Sequence, residues 1–184
     1  MSNGGAKIIV IDACCLLNLC AASTSTAFLD ALSCEILVPD QVLDEARFLR
    51  QPDQDVPGKL KQLPLDLTDR IQSGRLRRCG PVGDEEIGLF VSLATELADG
   101  EAACIAIAKA RGALAATDDR KARRLAGELG VQLVCTPELM RDWANSTGAN
   151  AEAVKVSLEN IQRFARYVPR PDLPDSDWWH AMVG

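Results

Sequence analysis

Five acidic positions carry the chemistry open to this sequence: Asp12, Glu45, Glu101 and the adjacent pair Asp118-Asp119. Each lies at the end of a strand pattern or on the apolar side of a helix pattern, so folding would gather them rather than leave them on the surface. Carboxylates held close together repel one another and raise one another's pKa unless a cation neutralises them. Oxygen donors without His or Cys partners suit Mg²⁺ or Mn²⁺, which keep waters and bind substrate phosphates. Such an ion lowers the pKa of a bound water and stabilises the charge that develops on a phosphodiester. The expected reaction is metal-dependent phosphodiester hydrolysis with no protein nucleophile. The lone His180 sits near the end of the chain, which removes the basis for Ser-His or Cys-His catalysis and for imidazole-bound zinc.

Each acid also has a plainer reading. Asp12 can cap the helix that follows it, and Asp99, just before Gly100, reads as a cap more readily than as a ligand. One of Asp118 and Asp119 can cap a helix while the other binds metal, and the sequence does not separate them. Glu45 or Glu101, taken singly, can be a solvated helix residue. Their joint placement carries the weight.

The elements that must position these acids are legible. Residues 113–124 give a short apolar run, then the two carboxylates, then a basic helical pattern, which places the acids at the carboxyl end of a buried strand. Lys7-Ile8-Ile9-Val10-Ile11-Asp12 has the same form and predicts a central parallel strand. A helix over 13–22 follows, and Ser23 or Thr24 is placed to cap a second one through Leu32. Glu35-Ile36-Leu37-Val38 predicts a strand stopped by Pro39. Asp40 is the expected N-cap of a helix over 41–50, in which Val42, Glu45, Ala46 and Leu49 share the inward stripe.

From 51 to 83 prolines and glycines punctuate the chain, leaving room for a short helix at 66–73 and an edge strand at 75–79 with exposed arginines. A helix over 84–98 should bury Ile87, Phe90, Val91 and Ala94. Asp99-Gly100 should break it, and a further helix should run from Glu101 to Arg111, closed by Gly112. After the Asp118-Asp119 strand come a helix over 120–129, a last strand at 131–135 and a helix capped by Thr136 with Pro137 in its first turn. Arg120, Arg123 and Arg124 are candidates for holding RNA phosphates, because cations at a helix N-terminus oppose its dipole and are not a choice made for stability alone.

The alternation of strand and helix predicts an α/β fold: a three-layer α/β/α sandwich around a central parallel sheet of four to five strands. Residues 1–146 are expected to form the nuclease domain, and 147–184 a C-terminal helix with a Pro- and Trp-containing tail. Paired Trp178-Trp179 in a free tail would be unfavourable in water, so the tail should dock on this chain or on a partner. With 184 residues, a hydrophobic fraction of 47 % and a net charge of −6, the chain can bury a sizeable core and does not coat nucleic acid by bulk charge. Seven cysteines without a Cys-x-x-Cys pair read as small buried thiols of a reducing compartment. No apolar run is long enough for a membrane span, and the Met-Ser-Asn-Gly-Gly start lacks the order of a signal peptide, so a cytoplasmic location is expected.

Four segments resemble the PIN-domain family, and within it the VapC-like toxin ribonucleases. They are Ile9-Val10-Ile11-Asp12 with Leu16-Leu17-Asn18-Leu19; Val38-Pro39-Asp40-Gln41-Val42-Leu43-Asp44-Glu45; Asp99-Gly100-Glu101-Ala102; and Thr117-Asp118-Asp119-Arg120-Lys121-Ala122-Arg123. The resemblance spans residues 7 to about 145. It implies a Mg²⁺- or Mn²⁺-dependent endoribonuclease, often a homodimer and often inhibited by a cognate antitoxin protein. Carried over by position, the catalytic acids are Asp12, Glu45, Glu101 and Asp119 with Asp118 beside it, and the metal ligands Asp12, Glu101, Asp119 and Asp118. Thr117 matches a hydroxyl residue often found before the last acid, Asn18 is a secondary candidate, and Asp99 competes with Glu101 for the third position.

Two rival classes fit the sequence less well. A catalytically silent PIN-like module would bind protein through its C-terminal tail, but acids at all four positions argue against lost catalysis. A phosphotransfer enzyme on a similar sheet would need a second Asp and a Thr after Asp12, where the chain has Ala13-Cys14-Cys15-Leu16. Neither a phosphate loop nor a dinucleotide turn occurs.

Overall fold

Five short apolar runs lie side by side, and every pairing between them is parallel. They are β1 (Ile8–Ile11), β2 (Glu35–Pro39), β5 (Leu76–Cys79), β6 (Leu114–Ala116) and β7 (Leu133–Val134), in the order β5-β2-β1-β6-β7. The structure is a computed structural model and describes residues 7–23, 26–52 and 59–184. The expected cap Thr24 and the punctuation at Pro57 and Gly58 lie outside the described residues.

Strand alternation divides the core into two layers. Ile9, Ile11, Ile36 and Val38 face one cluster, while Val10, Leu37 and Ala115 face the other. The first is covered by α1 (Ala13–Ala22), α7 (Thr136–Thr147), α8 (Ala151–Asn160) and α9 (Ser176–Val183). The second is covered by α4 (Gly83–Ala94), α5 (Asp99–Arg111) and α6 (Arg120–Glu128). The three-layer α/β/α sandwich is therefore present, with a five-stranded sheet. Helix α5 is buried from Ala102 to Ala108, and its alanines let it lie close against β1 and β6. It ends where Gly112 adopts φ 62°, a conformation that side chains with a Cβ rarely take.

Several sequence expectations need correction. The helix expected over 41–50 stops early: α2 is Asp40–Glu45, and Phe48–Pro52 is a strand, β3, paired antiparallel with β4 (Leu60–Pro64). Leu49 is buried between exposed Phe48 and Arg50, a period of two that the helical spacing of Val42, Ala46 and Leu49 had masked. Pro39, in extended conformation, takes the N-cap position assigned to Asp40, whose carboxylate instead meets Arg78 at 2.9 Å. The stretch ending at Leu32 holds a 3₁₀ helix, Thr26–Ala31, rather than an α-helix.

Helix α4 turns Ile87 and Val91 outward, 47 % and 59 % exposed, and buries Glu86 and Leu93 instead. Glu86 can be inside because Arg111 bridges it at 2.8 Å. Asp99-Gly100 does not precede α5 but forms its first turn, with Ala98 in the cap position. Thr136 likewise lies inside α7, after a Cys135 cap.

The short helix α3 (Thr68–Gln72) and the edge strand β5 stand where expected. The edge arginines are paired: Arg77 with Glu35, and Arg78 with Asp40. The tail docks on its own chain: Trp179 is fully buried and meets Tyr167 edge-on at 5.7 Å, inside a helix that the prolines before it do not prevent. All seven cysteines are free. Among the described residues no helix is long and apolar enough to cross a membrane.

Candidate metal centre

The register of the two central strands pairs Ile11 with Ala116, so Asp12 and Thr117 leave the sheet at the same level. The Asp12 N–H donates to the Ala116 carbonyl at 3.1 Å. Asp12 does cap α1, its Oδ1 accepting the Cys15 N–H at 2.9 Å. A cap of this kind is normally exposed, whereas Asp12 is only 1 % exposed. Burial pushes its carboxyl up to about 6, against hydrogen bonds from Thr117, the Cys15 N–H and Cys14, and the charge of Asp118 adds to the rise. The Cys14 thiol donates to both carboxylate oxygens, at 3.1 and 3.2 Å.

Asp118 and Asp119, inseparable in the sequence, have different surroundings. Asp118 is buried and saturated: Oδ1 accepts the Thr136 N–H at 2.9 Å, and Oδ2 accepts the Thr136 hydroxyl at 2.5 Å and the Asn18 amide at 3.1 Å. That network ties α1, the end of β6 and the start of α7 together and leaves little capacity for a cation. Asp119 caps α6 through Oδ1, which accepts the Ala122 N–H at 2.8 Å, and its other oxygen takes no hydrogen bond from the described residues. Thr117 steadies the turn, its hydroxyl accepting the Asp119 N–H at 3.2 Å.

Glu45 ends α2 and is exposed as a residue, yet its Oε1 accepts the Gly100 N–H at 3.0 Å. A Cβ at position 100 would stand 2.8 Å from that oxygen, so glycine there leaves the room in which the Glu45 carboxylate sits over the first turn of α5. Glu101 is half-buried one residue on. Burial raises its pKa, the charge of Asp119 and then Glu45 raise it further, and the Ala98 N–H and Lys121 oppose the rise. Glu45, Glu101 and Asp119 thus stand within electrostatic reach of one another. Asp99 is exposed at the start of α5 and joins neither group.

Most other acids in the described residues that lie near a cation are ion-paired, but none of Asp12, Glu45, Glu101, Asp118 and Asp119 is. The nearby arginines are occupied elsewhere. Arg123 donates to the Thr117 carbonyl at 2.9 Å, Arg124 pairs with Glu128 at 2.7 Å, and Arg120 reaches Asp172 at 3.6 Å. Arg123 therefore braces the turn that carries the acids.

Among the described residues, the three potential ligands whose donor atoms all lie within 4.8 Å of one another are Asp12, Cys14 and Cys15. Glu101 and Asp119 form no such tight group with Asp12. The chemistry of the donors still fits a hard cation: they are carboxylates, and among the described residues none of them forms an ion pair. Sequence reasoning passed over Gly100, Cys14, Cys15 and Thr136. Gly100 was detectable as a small residue next to an acid, but the reach of Thr136 to Asp118 is a product of topology and left no local mark.

A family model described as a PIN domain matches residues 8–172. No curated protein matches the sequence. The match takes in the five strands of the parallel sheet, the five acids and the helices that carry them, and covers most of the chain: the chain belongs to the PIN-domain family.

Proposed function

We propose that this protein is a divalent-metal-dependent endoribonuclease that hydrolyses RNA phosphodiester bonds, and that it acts as the toxin of a toxin–antitoxin pair. PIN domains are generally nucleases. The observation that carries the reading is the set of acids around the ends of β1 and β6, none of which forms an ion pair among the described residues. Asp12, Glu101 and Asp119 would hold Mg²⁺ or Mn²⁺, and Asp118, already hydrogen-bonded on both oxygens, would position the turn. The bound ion supplies a water of lowered pKa and stabilises charge on the phosphate.

The chain's own residues do the remaining work. Glu45, fixed through one oxygen by the Gly100 N–H, keeps the other to take a proton from the attacking water. Thr117 and Arg123 hold the turn between β6 and α6, so Asp119 meets its ligand without reorganising.

A homodimer fits the outward row of Val82, Ile87 and Val91 on and before α4, which are 64 %, 47 % and 59 % exposed. The cognate antitoxin is a proposed protein partner, and the cytoplasm the proposed location. Incubation of wild-type protein and Asp12→Asn with mixed RNA and Mn²⁺ tests the activity: cleavage by wild type alone is expected, and equal activity from both proteins excludes this site. Growth arrest on induced expression, lost in Asp12→Asn, tests the toxin role.

A further inference from the structure

The arginines of this molecule are almost all spoken for. Of the fourteen in the sequence, eleven bond an acid or a backbone carbonyl among the described residues. The three that do not are Arg50, Arg163 and Arg166, and two of them, Arg50 and Arg166, share one cleft. A cleft of about 480 Å³ is lined by Arg50 and Arg166, by the rings of Phe48 and Phe164, and by Leu17 and Glu45. Arg163 lies over the Phe164 ring, 5.2 Å from its centre. Phe48 and Arg50 point the same way because they are two apart on β3, and Phe48 is 43 % exposed.

Exposed aromatic rings and arginines without an acid partner are not what ion pairing or core packing would place together. Together they make the surface that unpaired nucleotides recognise, flat apolar faces for a base and guanidinium groups for the phosphates on either side. The volume falls in the usual range for small-molecule pockets. A larger cleft, of about 710 Å³, lies at the amino end of β2, but its arginines are committed: Arg70 to Asp30, Arg77 to Glu35, and Arg75 to the Leu29 and Leu32 carbonyls.

We infer that the Phe48/Phe164 cleft is the subsite that receives one unpaired base of single-stranded RNA, with Arg50 and Arg166 on the flanking phosphates. This rests on the ribonuclease reading of the acids, because Glu45 is common to the cleft and to the acidic site. It adds a preference that the acids alone do not impose: a base held in a duplex is stacked and cannot enter.

Fluorescence anisotropy with a short labelled single-stranded RNA and its duplex tests this, in an Asp12→Asn background so that the RNA survives. Phe48→Ala should weaken single-strand binding about tenfold, the loss of one base–aromatic stack, and leave duplex binding unchanged. Phe48→Trp should retain affinity. Phe48→Leu, which keeps apolar bulk without a ring, should lose as much as the alanine variant and guards against a mere folding defect. Arg50→Ala with Arg166→Ala should flatten the salt dependence of binding by about one to two counterions.

Unchanged single-strand binding in Phe48→Ala, equal loss for the duplex, or no RNA binding at all would overturn the inference. Metal-dependent cleavage with no effect of Phe48 would leave the nuclease standing and remove the cleft. The expected binding changes without cleavage by wild type would do the reverse.

Discussion

The acids around the ends of β1 and β6 and the arginines around β3 are two halves of one contrast. At the edge strand β5, Arg77 and Arg78 each find an acid on the neighbouring element, as surface charges do when they serve the fold. Among the described residues, the acids around Asp12 form no ion pair and neither do Arg50 and Arg166 beside Phe48, although Glu45 lines the same cleft. Unpaired like charges raise the free energy of the folded state. Two such groups, opposite in sign and joined at Glu45, are what the proposed ribonuclease reading requires, the acids for a metal ion and the arginines for a phosphate backbone.

The sharpest way to break this contrast is to remove its buried acid. Asp12→Asn keeps an oxygen to accept the Cys15 N–H and so keeps the cap on α1, but it removes the charge. Cleavage should fall by at least about 100-fold, since loss even of outer-shell support to a metal commonly costs 10- to 100-fold. Calorimetric titration with Mn²⁺ should lose its signal in the same variant. Retained Mn²⁺ binding would mean that the ion sits elsewhere.

The same residue sets an expected pH dependence in metal-free protein. The folded carboxyl of Asp12 titrates at about 6, above its ordinary 3.8, so the folded state holds the proton more tightly than the unfolded one. Stability from this group is therefore fully present below about pH 4 and lost as pH rises through 6, by on the order of 3 kcal/mol. Urea denaturation of wild type against Asp12→Asn between pH 4 and 7 isolates it. The difference should favour the variant increasingly toward pH 7, and added Mn²⁺ should cancel that advantage.

A smaller effect is expected from Gly100→Ala. The new methyl would stand 2.8 Å from Glu45 Oε1, and a carboxylate at the end of a flexible side chain can move aside. Stability should hold or rise slightly, since alanine favours a helix over glycine by roughly 1 kcal/mol. Cleavage should drop by about tenfold because Glu45 is no longer held where the Gly100 N–H placed it. A fall in both quantities together would assign Gly100 to packing alone.

Much of this was legible in the sequence because the sheet is buried on both faces: Ile8-Ile9-Val10-Ile11 and Leu114-Ala115-Ala116 read as strands without help from their neighbours. The position of Asp12, and of Asp118 and Asp119 as a pair, followed, since acids just past a buried strand are placed by the strand. Glu45 was assigned to the inward face of a helix that in fact ends at Glu45; its link to the site comes from Gly100, which helical periodicity does not register. The difference in surroundings between Asp118 and Asp119 was equally invisible. It is set by Asn18 and Thr136, brought in from α1 and α7 by the parallel crossovers. The cleft was missed for the same reason: β3 and β4 pair with each other, and the helical spacing from Val42 to Leu49 hid the strand on which Phe48 and Arg50 stand side by side.

The cleft offers the finest test of whether its charges serve a ligand or the fold. Among the described residues, two non-glycine residues have positive φ: Asp175 at 58° and Arg166 at 57°. Asp175 is of a type that tolerates this region, and it is held there by Arg141. Arg166 has neither excuse: it ends the π-helical turn Ile161–Ala165, and its guanidinium pairs with no acid among the described residues. For a residue with a Cβ the conformation costs about 1 kcal/mol, which glycine would not incur. Arg166→Gly should therefore raise unfolding stability by roughly 1 kcal/mol in denaturant titration, offset in part by the freer unfolded chain of glycine, while single-stranded RNA binding loses about one counterion of salt dependence. A more stable protein that binds RNA less well would mean the strain is carried for the ligand; a variant of lower stability and unchanged affinity would place Arg166 among the residues that hold the fold.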